Sequence, residues 1–500
     1  MKNLKTLIFL VLFGTSYMVF GQIKDQFEID LNNVITMSEK NSLDAFKAKH
    51  LYQSSILEFK NFQVENLPIL NMDLNPLVYN SSIVERYDAN LNRDVFRTVE
   101  TLNSYLGLSV SQNITATGGN VFLRSNINRL QNSGAISNIA YNNNIIQLGF
   151  NQSLFSYNSL KWNKKTAPLV YEKAKIEFIE ARESIHIKAV NFFFDLASAQ
   201  LNYEISDNNY ENAYQLYEIG KERFKIATIN QEELLNLELN LLNAEVAQKR
   251  AINSLKDSQF SFNTFLGNEV HLDYKLVIPE MILKTEMDFS LALKQAQENN
   301  SEMLDMKLKE LNSLKEFDRI KRQGRFNPTF SGIIGLNKNA ENYSDSYLNP
   351  LTQKQFSLRV TIPIIDWGTA NRRTQVVANR NKIVIAENKQ AIQDFKQKIM
   401  TQIAEFNLQS ELVEKALRSK DIAIKAHELV LERFKYGNID IVKLNASRTA
   451  KDRAINDYLN SLNDYWNNYY TLQKLTLIDL KTNQKLSIVM DKKLDLNNLR

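Results

Sequence analysis

The chain repeats itself. Glu222-Arg223-Phe224-Lys225 returns 210 residues later as Glu432-Arg433-Phe434-Lys435, and Ser153-Leu154-Phe155-Ser156-Tyr157 stands opposite Pro363-Ile364-Ile365-Asp366-Trp367 at the same offset. These two anchors are about 70 residues apart and share one offset, so no net insertion separates them. Further upstream, Asn41-Ser42 matches Asn300-Ser301 and Pro68 matches Pro328, at offsets of 259 and 260. The first half therefore holds about 50 extra residues, placed roughly between Asn80 and Asn144. A duplication on this scale means one architecture built twice rather than a string of unrelated domains.

Glycine and proline punctuate each copy in the same way. Between Pro168 and Pro279 there is no proline, and before Gly267 the only glycine is Gly220. After Gly368 the only glycine is Gly437, and no proline follows Pro363. Both stretches predict very long helices. From Ser159 to Ile226 only Pro168 interrupts, and nearly 70 residues at 1.5 Å each make a rod of about 100 Å, far beyond the usual globular helix. Pro168 falls near the rod's start, where a helix tolerates it; its counterpart is Ala378. The return helices carry stripes at spacings of three and four, Leu234, Leu237, Leu241 and Ala244 in one, and Ile455, Leu459, Leu462, Trp466, Tyr469 and Leu472 in the other. These read as packing seams, which helices of this length must bury against neighbours.

Apart from Gly14 and Gly21 near the N-terminus, the remaining glycines and prolines gather in two windows, Pro68 to Gly149 and Gly324 to Gly368. There the period changes to two. Residues 70–75, 106–111, 146–151 and 356–362 alternate apolar with small or polar side chains, which gives a strand one apolar face and one wet face. A soluble sandwich would also do this, but strands of about ten residues on an exported chain fit a membrane barrel. Each half thus reads helix, strand, loop, strand, very long helix, turn, helix.

Export is indicated by the N-terminus. Lys2 and Lys5 precede an apolar run from Leu7 to Phe20, and Gly21 supplies a small residue before Gln22, the layout of a cleaved signal over residues 1–21. The run is too short to span a bilayer as a helix, and no other stretch is long enough. With 61 basic and 56 acidic residues the chain lacks the excess of cations expected of a nucleic-acid binder. Zero cysteine excludes disulfide scaffolds, thiolate metal sites and an acylated lipoprotein anchor. His50, His186, His271 and His427 are scattered singly, and no zinc-protease, phosphate-loop or nucleophile-elbow motif occurs, so neither a catalytic site nor a cofactor or metal is expected.

The order of elements, with these motifs, resembles the TolC-like outer-membrane efflux proteins over nearly the whole mature chain. Asp288-Phe289-Ser290-Leu291 through Asn300 is similar to the family's helix opening, residues 153–157 and 363–368 to its strand-to-helix exits, and Phe434-Lys435-Tyr436-Gly437-Asn438 to its periplasmic hairpin. The resemblance implies a mainly α fold with membrane β: a trimeric α/β-barrel in which three chains share one outer-membrane β-barrel and long coiled-coil helices line a periplasmic tunnel. It implies a first repeat over 22–270, with β segment 67–157 and helical hairpin 159–266, and a second over 271–480, with β segment 327–367 and hairpin 369–478. Residues 481–500 form a tail. Leu106 to Ile114 and Val121 to Leu130, turned at 117–120, form an additional hairpin. It either joins the barrel or stands above the surface, and the resemblance favours four strands per chain, twelve in a trimer.

The implied function is a passive exit duct of a tripartite efflux or type I secretion system, with no enzymatic activity of its own. Its implied partners are a periplasmic membrane-fusion adaptor, an inner-membrane transporter of RND or ABC type, and outer-membrane lipid. The tips of the two hairpins are the expected periplasmic gate, at Glu232, Glu233, Asp440 and Lys443. The expected adaptor contacts are Arg223, Phe224, Thr228, Asn230, Arg433, Phe434, Tyr436, Gly437 and Asn438. Gly437 suits a turn with positive φ, whereas Ala227 in the twin position requires none; Asn230 and Asp440 are placed to cap the returning helices. Lys443 and Ala446 stand where some relatives place carboxylate rings, so acidic-ring selectivity does not carry over. Glu233 and Lys443 instead suit ion pairs around the mouth, the alternative being two solvated charges worth less than about 1 kcal/mol. An exported coiled coil without a channel would explain the stripes but leaves the duplicated strands without a role.

Overall fold

The computed structural model describes residues 27–88, 91–134, 137–268, 272–279, 286–436 and 439–486. The signal segment, His271, Gly437, Asn438 and most of the tail lie outside these. In chain order the elements are β1 (Phe27–Asp30), α1 (Leu31–Asn41), α2 (Leu43–Val64), β2 (Ile69–Asp88), β3 (Arg93–Ile114), β4 (Gly119–Gly134) and β5 (Asn138–Ser153). There follow α3 (Ser159–Lys225), α4 (Gln231–Phe265), β6 (Tyr274–Val277), α5 (Phe289–Asn299), α6 (Ser301–Gln323), β7 (Asn327–Ala340) and β8 (Leu351–Thr361). The chain closes with α7 (Thr369–Lys435), α8 (Ile441–Thr476), β9 (Ile478–Asp479) and β10 (Gln484–Lys485). The long helices α3 and α7 are each 67 residues and begin and end 210 apart. Pro168 sits inside α3 without ending it.

The chain forms two compact units, each drawing on both repeats rather than one per repeat. The first comprises residues 1–43, 188–282 and 416–463. Its core gathers Val190, Phe193, Phe262 and Leu266, and β1 pairs in parallel with β6, Phe27 opposite Tyr274 through Asp30 opposite Val277. Asn263, 1% exposed, holds the chain after α4: its amide donates to the Leu272 carbonyl (3.0 Å) and its Oδ1 accepts from the Leu272 N–H (3.2 Å). Buried amides of this kind are costly unless paired, and here both ends are.

The second unit comprises residues 44–187, 283–415 and 464–500. The α7 stripe Phe395, Ile399, Ile403 and Phe406 is buried, as are Tyr465, Tyr469 and Leu472 of α8, each set on one helical face. The start of α6 is capped twice. Asn300 accepts from the Glu302 N–H (2.9 Å), and Glu180 of α3 accepts from the Ser301 N–H (2.9 Å) and hydroxyl (2.6 Å). Burial pushes the Glu180 carboxyl above its usual range, against the lowering effect of the two Ser301 hydrogen bonds.

The same unit contains the main sheet, in the order β2-β3-β4-β5-β7-β8, every neighbouring pair antiparallel. The sheet of one chain thus holds six strands, where the resemblance favours four. The additional hairpin is part of the sheet: β3 and β4 pair from Val99–Gly134 to Ile114–Gly119. Its turn lies at residues 115–118, slightly before the expected position, with Gly118 at φ +76°. Pro76 lies inside β2 because the register shifts between Asn75 and Val78, and a bulge is one place a strand admits proline.

Candidate functional site

The sheet has two chemically different faces. Across the registers, Leu70, Val110, Leu123, Leu148 and Ile334 form one continuous row through five strands. Above it run Met72 with Leu108, and Leu74 with Leu106 and Ile127. On the second-half strands Phe330 faces Leu358 and Gly332 faces Phe356. These apolar side chains are open in the single chain: Leu70 is 69% exposed, Leu148 55% and Leu358 62%. An apolar face this extended marks contact with lipid or protein rather than water.

Aromatic rings bracket the row. Phe150 packs against Phe330 (5.2 Å) and Phe155 against Phe326 (5.4 Å) at one end; Tyr141 meets Tyr343 (6.0 Å), beside Tyr347, at the other. From Phe150 to Tyr141 along β5, at about 3.3 Å per residue and a tilt of about 40°, the vertical span is about 23 Å. That matches the height of a barrel's apolar band, about 25 Å between aromatic girdles.

The opposite face is polar. Asn71, Ser109, Arg124, Gln147, Gly335 and Gln353 stand in one row across all six strands. Arg124 Nε donates to Gln147 Oε1 (2.7 Å), and Gln147 Nε2 donates to Gln353 Oε1 (2.6 Å) and Asn144 Oδ1 (2.8 Å). Asn144 in turn donates to Asn126 (2.7 Å). A ladder of amides and one guanidinium suits a water-facing wall. Gly335 is required where this ladder crosses: a Cβ there would lie 2.4 Å from the Ile146 carbonyl oxygen.

The second cluster of interest is the pair of hairpin tips in the first unit. The α3–α4 turn closes as a Schellman motif, with the Thr228 N–H on the Arg223 carbonyl (2.9 Å) and the Ala227 N–H on the Phe224 carbonyl (3.0 Å). Ala227 takes φ +56°, so the expectation that it needs no left-handed backbone is corrected; the two hydrogen bonds impose it. Thr228 Oγ1 also donates to the Arg223 carbonyl (2.8 Å). Asn230 and Glu233 form a reciprocal capping box, Glu233 N–H to Asn230 Oδ1 (2.8 Å) and Asn230 N–H to Glu233 Oε2 (3.1 Å). Asp440 caps the twin helix by accepting from the Lys443 N–H (2.8 Å).

A cavity of about 470 Å³ lies between the tips, lined by Ile219, Gly220, Arg223, Glu233, Leu237, Phe434 and Asp440 among others. Gly220 faces Leu237 across it: a Cβ there would lie 2.4 Å from Leu237 Cδ1, the movable end of that side chain. Twin residues face differently: Arg223 and Phe434 line the cavity, whereas Phe224 and Arg433 are exposed. Glu232, Lys443 and Tyr436 are exposed as well, and Glu233 is joined to Asn230 rather than to Lys443. Sequence reasoning passed over Ile226 and Val442, apolar tips 73% and 71% exposed; bulky apolar residues in a turn were the available signal.

No helix among the described residues is long and apolar enough to cross a membrane. Residues 292–476 match the family model for outer membrane efflux proteins. No curated protein matches the sequence. Among solved structures, the outer membrane channel CmeC of Campylobacter jejuni is similar at 13% identity and a TM-score of 0.64, over 93% of this chain and 89% of that one. VceC of Vibrio cholerae, an outer membrane protein, is similar at 12% identity and 0.59, over 89% and 95%. The MtrE outer membrane channel of Neisseria gonorrhoeae gives 13% and 0.57, over 90% and 89%. The chain thus shares the fold of these outer membrane channels along nine-tenths of its length and matches the outer membrane efflux protein model over residues 292–476.

Proposed function

We propose that the protein is a passive exit duct of the outer membrane, a homotrimer that conducts substrates delivered by an RND or ABC inner-membrane transporter through a periplasmic membrane-fusion adaptor. The observation that carries this reading is the six-stranded sheet. Each strand has at least 11 residues, enough to cross a bilayer at a barrel's tilt. The apolar face with its aromatic rims meets lipid, and the Arg124–Gln147–Gln353 ladder lines the lumen. The long helices extend the duct into the periplasm.

Assembly from several copies is supported by a second seam. In α4, Leu235, Leu239, Leu242 and Val246 follow helical spacing and are each 50–56% exposed in the single chain; a neighbouring copy buries them. The tips give the adaptor two kinds of groove. Within a chain the groove holds Arg223, Glu233 and Asp440. Between copies the twin surfaces offer Arg433, Lys443 and Phe224, which the single chain leaves exposed, so that groove is the more basic. The gate is assigned to Glu232, Glu233, Asp440 and Lys443, with Glu233 and Lys443 alternating around the mouth.

Planar-bilayer recording on the detergent-extracted protein tests this. The parent conducts ions in discrete steps, and Lys443→Glu changes conductance or ion preference. A protein that gives no steps and is released from membranes by alkali would refute the duct; unchanged conductance in Lys443→Glu would remove only the gate assignment.

A further inference from the structure

Where the sheet meets the helices, the second unit holds a cavity of about 640 Å³ that conduction leaves without a role. Its roof is the turn of the additional hairpin, which supplies Ala116 and Thr117. That turn is pinned to the strand-to-helix exit: Gln152 Nε2 donates to the Thr117 carbonyl (3.1 Å) and Asn158 Nδ2 to the Thr115 carbonyl (3.0 Å). Lys161, Trp162 and Lys165 line one wall, at spacings that set them on one face of α3. Phe317, Asp318 and Arg322, near the end of α6, line the other. The cavity lies on the apolar side of the sheet. Gln152 pairs with Phe330, and the ladder runs on past β5 from the Leu154 N–H to the Pro328 carbonyl (3.0 Å). Alternation therefore puts Gln152 and Leu154, both lining the cavity, on the face of Leu148 and Phe150.

The charge of the cavity differs from the near-neutral balance of the whole chain. Its lining holds three cations, Lys161, Lys165 and Arg322, and one carboxylate, Asp318. That carboxylate is already engaged, accepting from Trp162 Nε1 (3.0 Å) and Arg322 Nε (2.6 Å). The two bonds hold an indole and a guanidinium side by side and leave the terminal guanidinium nitrogens for another acceptor. Among the described residues the amines of Lys161 and Lys165 enter no ion pair; the Lys165 amine lies over the Trp162 ring, 5.0 Å from its centroid. At the twin exit, 210 residues on, Asn371, Arg372 and Gln375 stand in place of Lys161, Trp162 and Lys165. The set belongs to the exit that the additional hairpin covers.

We propose that this cavity holds the phosphate of an anionic membrane phospholipid, one per chain, with its acyl chains lying along the apolar face. This rests on the membrane-duct reading above and goes beyond it by naming a lipid class and the residues that select it. The Phe150–Phe330 and Phe155–Phe326 pairs mark the rim of the apolar band, and the cavity begins there, at the depth where head groups replace hydrocarbon. Arg322 presents paired N–H groups to the phosphate oxygens. Lys161 and Lys165 add point charges, as basic pockets for lipid head groups do. Trp162, with its N–H held by Asp318, is the amphipathic ring expected at that level. With three cations against one carboxylate, the lining favours phosphatidylglycerol over zwitterionic phosphatidylethanolamine, whose amine it repels.

Native mass spectrometry of the detergent-extracted, delipidated protein tests this, with phosphatidylglycerol, phosphatidylethanolamine and inorganic phosphate as probes. The parent should retain one phosphatidylglycerol per chain, more tightly than phosphatidylethanolamine, and should not be saturated by inorganic phosphate at the same concentrations. Lys161→Gln/Lys165→Gln alters two exposed side chains and should weaken phosphatidylglycerol binding roughly tenfold. Arg372→Gln/Arg373→Gln removes the same charge at the twin exit and should weaken it less than about twofold. An equal loss in both variants would overturn the site and leave only a general attraction to basic surface. Equal retention of the two lipids would overturn the anionic selection, and saturation by inorganic phosphate alone would overturn the lipid as occupant. Fractionation of the same protein separates this from the reading it rests on. A parent that sediments with the outer membrane but retains no phosphatidylglycerol overturns the lipid site alone, whereas one absent from that membrane overturns the duct.

Discussion

Ala227 and His427 show how single residues set the hairpin tips. Ala227 has φ +56°, a conformation that costs an L-residue about 1–2 kcal/mol. Glycine would remove that cost while adding about 0.4–1 kcal/mol of unfolded-state entropy. Ala227→Gly is therefore expected to stabilise the tip by roughly 0.5–1 kcal/mol, read as slower proteolysis between α3 and α4; faster cleavage would contradict it. His427 Nδ1 lies 3.0 Å from Ser447 Oγ. Burial lowers the His427 pKa below 6.5, with Lys451 and Arg448 acting in the same direction and Asp452 and Glu428 opposing. Below pH 6.5 the unfolded state takes up the proton before the folded state does. The contribution of neutral His427 is thus complete above pH 6.5 and declines as pH falls towards the lowered folded value. Hydrogen exchange in this part of α7 and α8, corrected for intrinsic rates, should be faster at pH 5.5 than at 7.5, and His427→Gln should flatten that difference.

At the scale of elements, the β5–β7 ladder joins the strands of the first half to those of the second. Gly335 sits on it where an added Cβ would meet the Ile146 carbonyl oxygen at 2.4 Å and the Gln147 Cα at 3.0 Å. Because these are backbone atoms, Gly335→Ala must spread the strands, at a cost of about 1–3 kcal/mol, and should lower the midpoint of the protein's thermal unfolding. The long helices were legible in the sequence because breakers and anchors recur 210 residues apart, the offset that α3 and α7 keep. The alternating segments likewise fall inside strands, all but Ile362, which lies just past the end of β8. The reach of β2 and β3 was not legible. Beyond Asn75, Val78 to Asp88 pairs with β3 in a ribbon whose outer part no other strand joins among the described residues, so neither face enforces an alternating pattern. Nor did sequence show whether the 105–131 hairpin joins the sheet, since an amphipathic hairpin reads alike in a barrel wall or above it. The caps at Asn230 and Asp440 were readable from residue type, whereas the left-handed Ala227 was not, because hydrogen bonding rather than side-chain preference dictates it.

On the scale of the molecule, duplication gives nearly equal helices but unequal strands. Each repeat supplies one 67-residue helix, whereas four strands of the sheet come from the first half and two from the second. The additional pair widens the sheet without altering the length of the helices that follow. The twin hairpins also diverge in charge: Glu233 and Lys443 occupy equivalent positions 210 apart. A ring of copies would therefore alternate around its mouth. All of this depends on the chain being a membrane duct. Electron microscopy of the protein extracted in detergent from outer membranes tests that most directly. The account predicts a threefold particle in which a closed barrel continues into a helical cylinder; a monomer or dimer that needs no detergent and has no barrel would contradict it.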